Sequence, residues 1–119
     1  EQGERAHLNY GHTIGHAVEV AGGRRHGEAV AVGMVAAGRA GALLAGFAEE
    51  GRQAEVIGRL GLPVAAPGLD RAAVLALVRR DKTRRGDALR LVVLEAVGRP
   101  RLIAVTPATV RAALAAVGI

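Results

Sequence analysis

Residues 11–45 read GHTIGHAVEVAGGRRHGEAVAVGMVAAGRAGALLA, two apolar segments joined by a glycine- and arginine-rich break. This stretch predicts one helix over residues 11–21 and a longer one over residues 28–45, because Gly22 and Gly23 interrupt the apolar pattern. Repeated Gly and Ala in the longer segment let neighbouring backbones approach closely, while the glycines weaken its intrinsic helix propensity. We therefore expect packing against other elements to stabilise this helix.

The flanking sequence extends the helical pair into a single, mainly α domain with a small β-hairpin, covering residues 1–119. The other predicted elements are a helix over residues 48–60, a helix from the N-cap Asp70 to Arg80, a charged loop over residues 81–87, strands over residues 89–94 and 102–105, and a last helix beginning at Thr106-Pro107. No internal repeat divides the chain.

Composition narrows the classes of function. Half of the 119 residues are hydrophobic, and cysteine is absent, so a transition-metal ion would have to be held by His and carboxylate groups. The net charge of +5 is spread along the chain, and only one Tyr and one Phe are available for stacking, which argues against binding single-stranded nucleic acid. The apolar stretch over residues 29–47 contains Arg39 and suits a buried helix better than a membrane span. No signal peptide is apparent, so we expect a cytoplasmic location.

Three histidines form the candidate chemical site. His12 and His16 are four residues apart, so on a helix they share one face, and His26 follows directly after the break. Catalytic zinc uses about three protein ligands and keeps one position open. A bare His-x-x-x-His pair also arises by chance as solvated or core histidines, and spacing alone does not distinguish the role of His12 from that of His16.

Longer motifs resemble the 3-dehydroquinate synthase family over about residues 5–98. The matching blocks are Arg5-Ala6-His7-Leu8-Asn9-Tyr10-Gly11-His12-Thr13-Ile14-Gly15-His16-Ala17-Val18-Glu19, His26-Gly27-Glu28-Ala29-Val30-Ala31-Val32-Gly33-Met34-Val35-Ala36-Ala37, Gly61-Leu62-Pro63 and Asp81-Lys82. Their order along the chain makes the resemblance specific, although Gly-Leu-Pro alone would carry no information. Two departures are the short, arginine-rich segment between His16 and His26, and Thr83 where many members repeat a lysine.

The resemblance implies that this chain is the metal- and substrate-binding C-terminal part of a two-domain enzyme whose α/β NAD-binding domain is absent here. By position, His12 and His26 match the family's zinc ligands, and the third ligand is a Glu of the absent domain. His16 and Lys82 match active-site residues. The residues that match substrate-binding positions are Arg5, Asn9, His16 and Lys82. Glu28 could help to position a metal ligand, but a carboxylate in the first helical turn is also favourable with the helix dipole, and we prefer that interpretation. We expect Met34 to be a core residue and His7 to be a surface or packing residue.

The implied reaction converts 3-deoxy-D-arabino-heptulosonate 7-phosphate into 3-dehydroquinate and phosphate in the shikimate pathway, which leads to chorismate and the aromatic amino acids. Its implied cofactors are NAD and Zn²⁺ or Co²⁺, and the full-length enzyme would be a homodimer. We expect the isolated chain to be inactive, and we expect neither nucleic acid nor a membrane as a partner.

Three alternatives remain open. A sibling sugar phosphate cyclase that makes aminodehydroquinate, deoxy-inosose or a valiolone shares the histidine pattern. A metal-dependent polyol or alcohol dehydrogenase has a similar two-domain plan but would not eliminate phosphate. A non-catalytic module that binds anions or nucleic acid through its positive charge would show a steep salt dependence and no metal requirement.

Overall fold

The computed structural model describes residues 10–85 and 89–119, without the side chains of residues 81–85. Within these ranges the chain forms five helices and one antiparallel pair of strands. In chain order the elements are α1 (His12–Gly22), α2 (His26–Leu44), α3 (Glu50–Arg59), α4 (Arg71–Arg85), β1 (Arg90–Ala96), β2 (Arg99–Ala104) and α5 (Pro107–Ala115). The prediction of a mainly helical fold with a small hairpin is confirmed.

Glycines bring α1 and α2 into close contact. A Cβ placed on Gly33 of α2 would overlap the carbonyl oxygen of Gly11 and lie 2.6 Å from the nitrogen of Gly15. The connection between the helices is residues 23–25 alone, and Gly23 takes a left-handed conformation with φ of 68° while its amide donates to the Glu19 carbonyl at 2.9 Å. The predicted break is therefore confirmed, and α2 begins at His26, two residues earlier than expected.

Helix α2 lies at the centre of the domain, in contact with α1, α3, α5 and β1. Ten of its 19 residues are buried, and all ten are Ala, Gly or Val. By length and composition alone α2 could also cross a membrane, but 56% of its apolar window is buried inside this fold. That burial is the pattern of a core helix, as the interrupted apolar stretch predicts.

The core joins α2 to the remaining elements. Its fully buried large side chains are Ile14, Val18, Val32, Val74, Val78, Val93, Val110, Leu114 and Val117. Branched aliphatic side chains at these positions fill the space that the small residues of α2 leave open, so the helices and the hairpin share one core.

One prediction is wrong: the backbone over residues 81–85 is not a loop, because α4 continues to Arg85. No Gly or Pro occurs in residues 71–85, and Arg and Lys are good helix formers, so nothing in the sequence ends the helix at Arg80. At the other end the amide of Val74 donates to the Asp70 carbonyl at 3.1 Å, as expected for a helix that starts after Asp70. The backbone of Lys82 consequently lies on a helix.

The hairpin and the last helix follow the sequence prediction more closely. β1 pairs with β2 in the register Arg90↔Ala104 and Val92↔Leu102, and Gly98 turns the chain with φ of 80°. β2 starts three residues earlier than predicted, which is possible despite Pro100 because both strands of this sheet are edge strands. Thr106 caps α5 by accepting from the Thr109 amide at 3.2 Å, and Pro107 occupies the first turn as predicted.

Candidate metal and substrate site

The structure brings His12 and His26 together at the starts of two different helices. His12 is the first residue of α1 and His26 is the first residue of α2. Their ring centroids lie 5.7 Å apart, and the ring planes are inclined at 52°. The close glycine contact between α1 and α2 sets this separation, so the pair depends on helix packing more than on the intervening loop.

Each of the two rings is oriented by a hydrogen bond at its own Nδ1 atom. Nδ1 of His12 lies 3.2 Å from the carbonyl oxygen of Tyr10, and Nδ1 of His26 lies 3.0 Å from Oε1 of Glu19. A carbonyl oxygen and a carboxylate oxygen can only accept, so each Nδ1 carries the hydrogen and a neutral ring has its lone pair on Nε2. This is the arrangement in which metal-binding histidines are commonly held.

Tyr10 anchors the segment that precedes His12. Its hydroxyl donates to the Met34 carbonyl at 3.3 Å and accepts from Nε2 of Gln53 at 2.9 Å. Burial raises the pKa of the Tyr10 phenol above its ordinary value, and the hydrogen bond from Gln53 opposes that shift only in part. The Tyr10 carbonyl that receives His12 is therefore fixed by contacts to α2 and α3.

His16 and Glu19 extend the same face of α1. Positions four and seven after His12 lie below it on the helix, so the histidine pair, His16 and Glu19 share one side. His16 is exposed, whereas Glu19 is half-buried against His26. Three imidazoles thus lie close together here, and that of His16 is the exposed one on α1.

The residues present fit part of a metal site. Two imidazoles on one zinc at the usual Zn–N distance have ring centroids about 5.2 Å apart at a tetrahedral angle. The observed separation of 5.7 Å is close to that value. Among the described residues no three His, Asp or Glu side chains converge as a metal site, so the pair accounts for two ligands. Completion of such a site requires a donor from elsewhere.

Three predicted site residues are not placed by the structure. Arg5 and Asn9 lie outside the described residues, and so does His7. Lys82 has a described helical backbone but no described side chain. Glu28 lies in the first turn of α2, and the half-buried Met34 packs on the core, in keeping with the unremarkable roles expected of them.

Sequence reasoning missed two residues that support the pair, Glu19 and Gln53. The spacing of seven between His12 and Glu19 was a usable signal, because it places both on one helix face. No comparable signal existed for Gln53, which lies 43 residues from Tyr10 and meets it only through the packing of α3 on α2.

Relatives of known family resemble the chain over most of its length. A family model described as 3-dehydroquinate synthase C-terminal matches residues 1–84. The 3-dehydroquinate synthase of Synechococcus sp. is 46% identical over 104 residues, which cover 82% of this chain and 28% of the relative. The chain thus spans about a third or less of the length of the curated relatives it matches.

Solved structures of related cyclases share the fold. The 2-epi-5-epi-valiolone synthase of Streptomyces hygroscopicus, with NAD⁺ and Zn²⁺ bound, is 25% identical with a TM-score of 0.81, covering 92% of this chain and 32% of that one. A 2-deoxy-scyllo-inosose synthase complexed with carbaglucose-6-phosphate, NAD⁺ and Co²⁺ is 28% identical with a TM-score of 0.74, covering 89% and 33%. With its sequence and its fold in agreement, this chain belongs to the 3-dehydroquinate synthase C-terminal family.

Proposed function

We propose that this chain is the metal- and substrate-binding part of a 3-dehydroquinate synthase, which converts 3-deoxy-D-arabino-heptulosonate 7-phosphate into 3-dehydroquinate and phosphate. The observation that carries the proposal is the convergence of His12 and His26 with both Nδ1 atoms occupied by acceptors. That geometry is suited to metal binding through Nε2. The 3-dehydroquinate synthase of Synechococcus sp. also has a higher sequence identity to the chain than the two solved sibling cyclases.

His12 and His26 would hold Zn²⁺ or Co²⁺, with a third ligand from an N-terminal NAD-binding domain. When bound, such an ion supplies a Lewis acid that polarises hydroxyl and carbonyl oxygens of the substrate. The chain contributes rigidity: both imidazoles start helices that pack through glycines, so their separation is set before any ligand arrives. NAD, which removes and returns a hydride, would be bound mainly by the other domain.

His16, Lys82, Arg5 and Asn9 would bind the anionic and polar groups of the substrate. Guanidinium and ammonium groups pair with phosphate and carboxylate, and an amide adds a directional hydrogen bond. His16 is exposed on the face of α1 that carries His12, so a substrate bound at the metal is within reach of that face. We assign His16 and Lys82 the catalytic roles that accompany departure of the phosphate.

A sibling cyclase is the second candidate, because the solved neighbours make a deoxy-inosose and a valiolone. Their identities of 28% and 25% are well below the 46% of the Synechococcus sp. relative, which favours the dehydroquinate reaction. A polyol or alcohol dehydrogenase is a third candidate and differs in chemistry, since it would release no phosphate.

The experiment is phosphate release from the seven-carbon keto acid phosphate by the full-length protein, with NAD and zinc. His12→Ala and Lys82→Ala should each abolish NAD-dependent release, whereas Arg59→Ala, on an exposed position of α3 paired with Glu55, should leave it unchanged. No release by the wild-type protein, together with turnover of a sugar phosphate that yields an inosose or a valiolone, would replace the assignment by a sibling cyclase.

We propose that the full-length enzyme is a homodimer in the cytoplasm. The partners of this chain would be the substrate and the N-terminal domain of the same enzyme, with no nucleic acid or membrane. Because one metal ligand and the NAD site would lie in the N-terminal domain, the chain by itself should release no phosphate. Turnover by the purified 119-residue chain would contradict this part of the proposal.

A further inference from the structure

We propose that Glu19 is a positioning residue: its carboxylate accepts a hydrogen bond from Nδ1 of His26 and thereby directs Nε2 of that ring toward the metal shared with His12. The inference deepens the proposed function and rests on it, because Glu19 contacts His26, a proposed metal ligand, and would not contact the metal itself.

The geometry of the contact supports this role. Oε1 of Glu19 lies 3.0 Å from Nδ1 of His26, a normal length for a hydrogen bond to a carboxylate. The ring centroids of His26 and His12 lie 5.7 Å apart, so Glu19 holds one nitrogen of a ring that lies beside the other imidazole. Nδ1 of His12 is held in the same way, by a backbone carbonyl, which makes Glu19 the side-chain counterpart of that contact.

The position of Glu19 in the fold makes the contact directional. Glu19 is two helical turns below His12 on α1, and His26 begins α2 directly after a three-residue connection. The Glu19 backbone is itself fixed, because its carbonyl accepts the Gly23 amide at 2.9 Å where α1 ends. A carboxylate attached to the last turn of α1 therefore reaches across the connection and determines the rotation of the first side chain of α2.

An exposed ion pair with no role in metal binding would give a different result when Glu19 is removed. The side chains of His26 and Glu19 are 61% and 34% exposed, and pairs this exposed contribute on the order of 0–1 kcal/mol to stability. Loss of Glu19 should therefore change the melting temperature of the metal-free protein little. Loss of an outer carboxylate partner of a ligating histidine, in contrast, weakens metal binding by roughly 10–100-fold.

The test measures zinc affinity by chelator competition in the full-length protein after removal of its metal, and it compares Glu19→Ala with Glu19→Gln. Glu19→Ala should weaken zinc binding roughly 10–100-fold and shift the visible absorption bands of the Co²⁺-substituted protein. Glu19→Gln should recover most of the affinity, since the amide oxygen can still accept from Nδ1. Glu95→Ala is the matched control, because Glu95 is 36% exposed and pairs with Arg101 on the hairpin.

Each outcome decides the matter. Unchanged zinc affinity and an unchanged Co²⁺ spectrum in Glu19→Ala would overturn the inference, as would Glu19→Gln binding zinc as weakly as Glu19→Ala. An equal loss of affinity in Glu95→Ala would also overturn it, because the effect would then be unspecific. If the wild-type protein binds zinc but releases no phosphate, the proposed function fails while the role of Glu19 is still measured by the same titration.

Discussion

Gly33 of α2 lies against Gly11 at the start of α1, and neither position has room for a side chain. A Cβ on Gly33 would overlap the Gly11 carbonyl oxygen. A Cβ on Gly11 would lie 2.6 Å from Cγ of Met34, and any residue at position 11 would also have to adopt the φ of 78° found there. The obstruction at Gly33 is backbone, which a rotamer change cannot relieve. The two helices that carry the candidate metal ligands therefore meet at a contact that tolerates only glycine.

Gly33→Ala should consequently destabilise the domain by about 2 kcal/mol or more, since an added methyl group in a packed interior forces the backbone to move. Displacement of α2 should also lower metal affinity, because His12 and His26 would separate. Urea denaturation and zinc titration measure the two effects. Gly51→Ala is the control: a Cβ there meets nothing within 4 Å, so helix propensity predicts a change in the stabilising direction of at most about 1 kcal/mol. Equal stability of the two variants would contradict the packing argument.

Metal binding should distinguish the three histidines, which spacing alone does not. His12→Ala and His26→Ala should each abolish tight zinc binding by the full-length protein, because each removes one imidazole of the converged pair. His16→Ala should bind zinc normally and should instead raise KM or lower kcat for the phosphate substrate. Isothermal titration with zinc and steady-state kinetics separate the two roles. Loss of zinc binding in His16→Ala would move that residue into the metal site.

Tyr10 should make stability depend on pH in the alkaline range. Burial raises the folded-state pKa above the ordinary value of 10.0, so the unfolded chain loses the phenol proton first as pH rises. The stabilising contribution is therefore complete below pH 10.0 and is lost as pH rises through the folded-state pKa. Tyr10 is the only tyrosine of this chain, which has no tryptophan, so phenolate absorbance reports it directly.

Tyr10→Phe should remove this alkaline loss while lowering stability at neutral pH by about 1–3 kcal/mol, because two hydrogen bonds are lost and the Gln53 amide loses its acceptor. Unfolding by urea at several pH values measures both terms. An alkaline decline of the same slope in Tyr10→Phe would show that another group causes it.

The start of α5 offers a test of the fold remote from the site. Thr106→Ala removes the oxygen that accepts the Thr109 amide and should cost about 1 kcal/mol of stability. Thr106→Ser keeps that oxygen and should stay near the wild type, and zinc affinity should be unaffected in both variants. A cost for Thr106→Ser equal to that for Thr106→Ala would indicate that the methyl group of Thr106, and not the cap, stabilises this end.

The sequence predicted most elements of the fold because their ends carry strong local signals. Gly23 ended α1 and Thr106-Pro107 started α5 as expected, since a left-handed glycine and an N-cap act within a few residues. The predicted end of α4 at Arg80 is wrong because a run of charged residues does not by itself end a helix: Arg and Lys favour helices in the absence of Gly or Pro. Composition is a weaker guide to a boundary than a residue that restricts φ.

The candidate site was only partly predictable. The convergence of His12 and His26 is anticipated by the family resemblance and depends on the glycine contact between α1 and α2, which spacing within one helix does not reveal. Glu19 and Gln53 were missed because they act through hydrogen bonds to neighbours of the chemistry, His26 and Tyr10. Such contacts are determined by how helices pack and leave no motif of their own.

The three-residue connection between α1 and α2 has a consequence for binding thermodynamics. Because His12 and His26 sit at the ends of one short helical hairpin, the entropy lost in bringing two imidazoles together is lost when the hairpin folds. A metal ion bound as proposed would meet two imidazoles that are already arranged, so less of its binding free energy would be spent on ordering them. Under the proposed function, the N-terminal domain would have to deliver one further donor atom and would not have to assemble the whole coordination sphere.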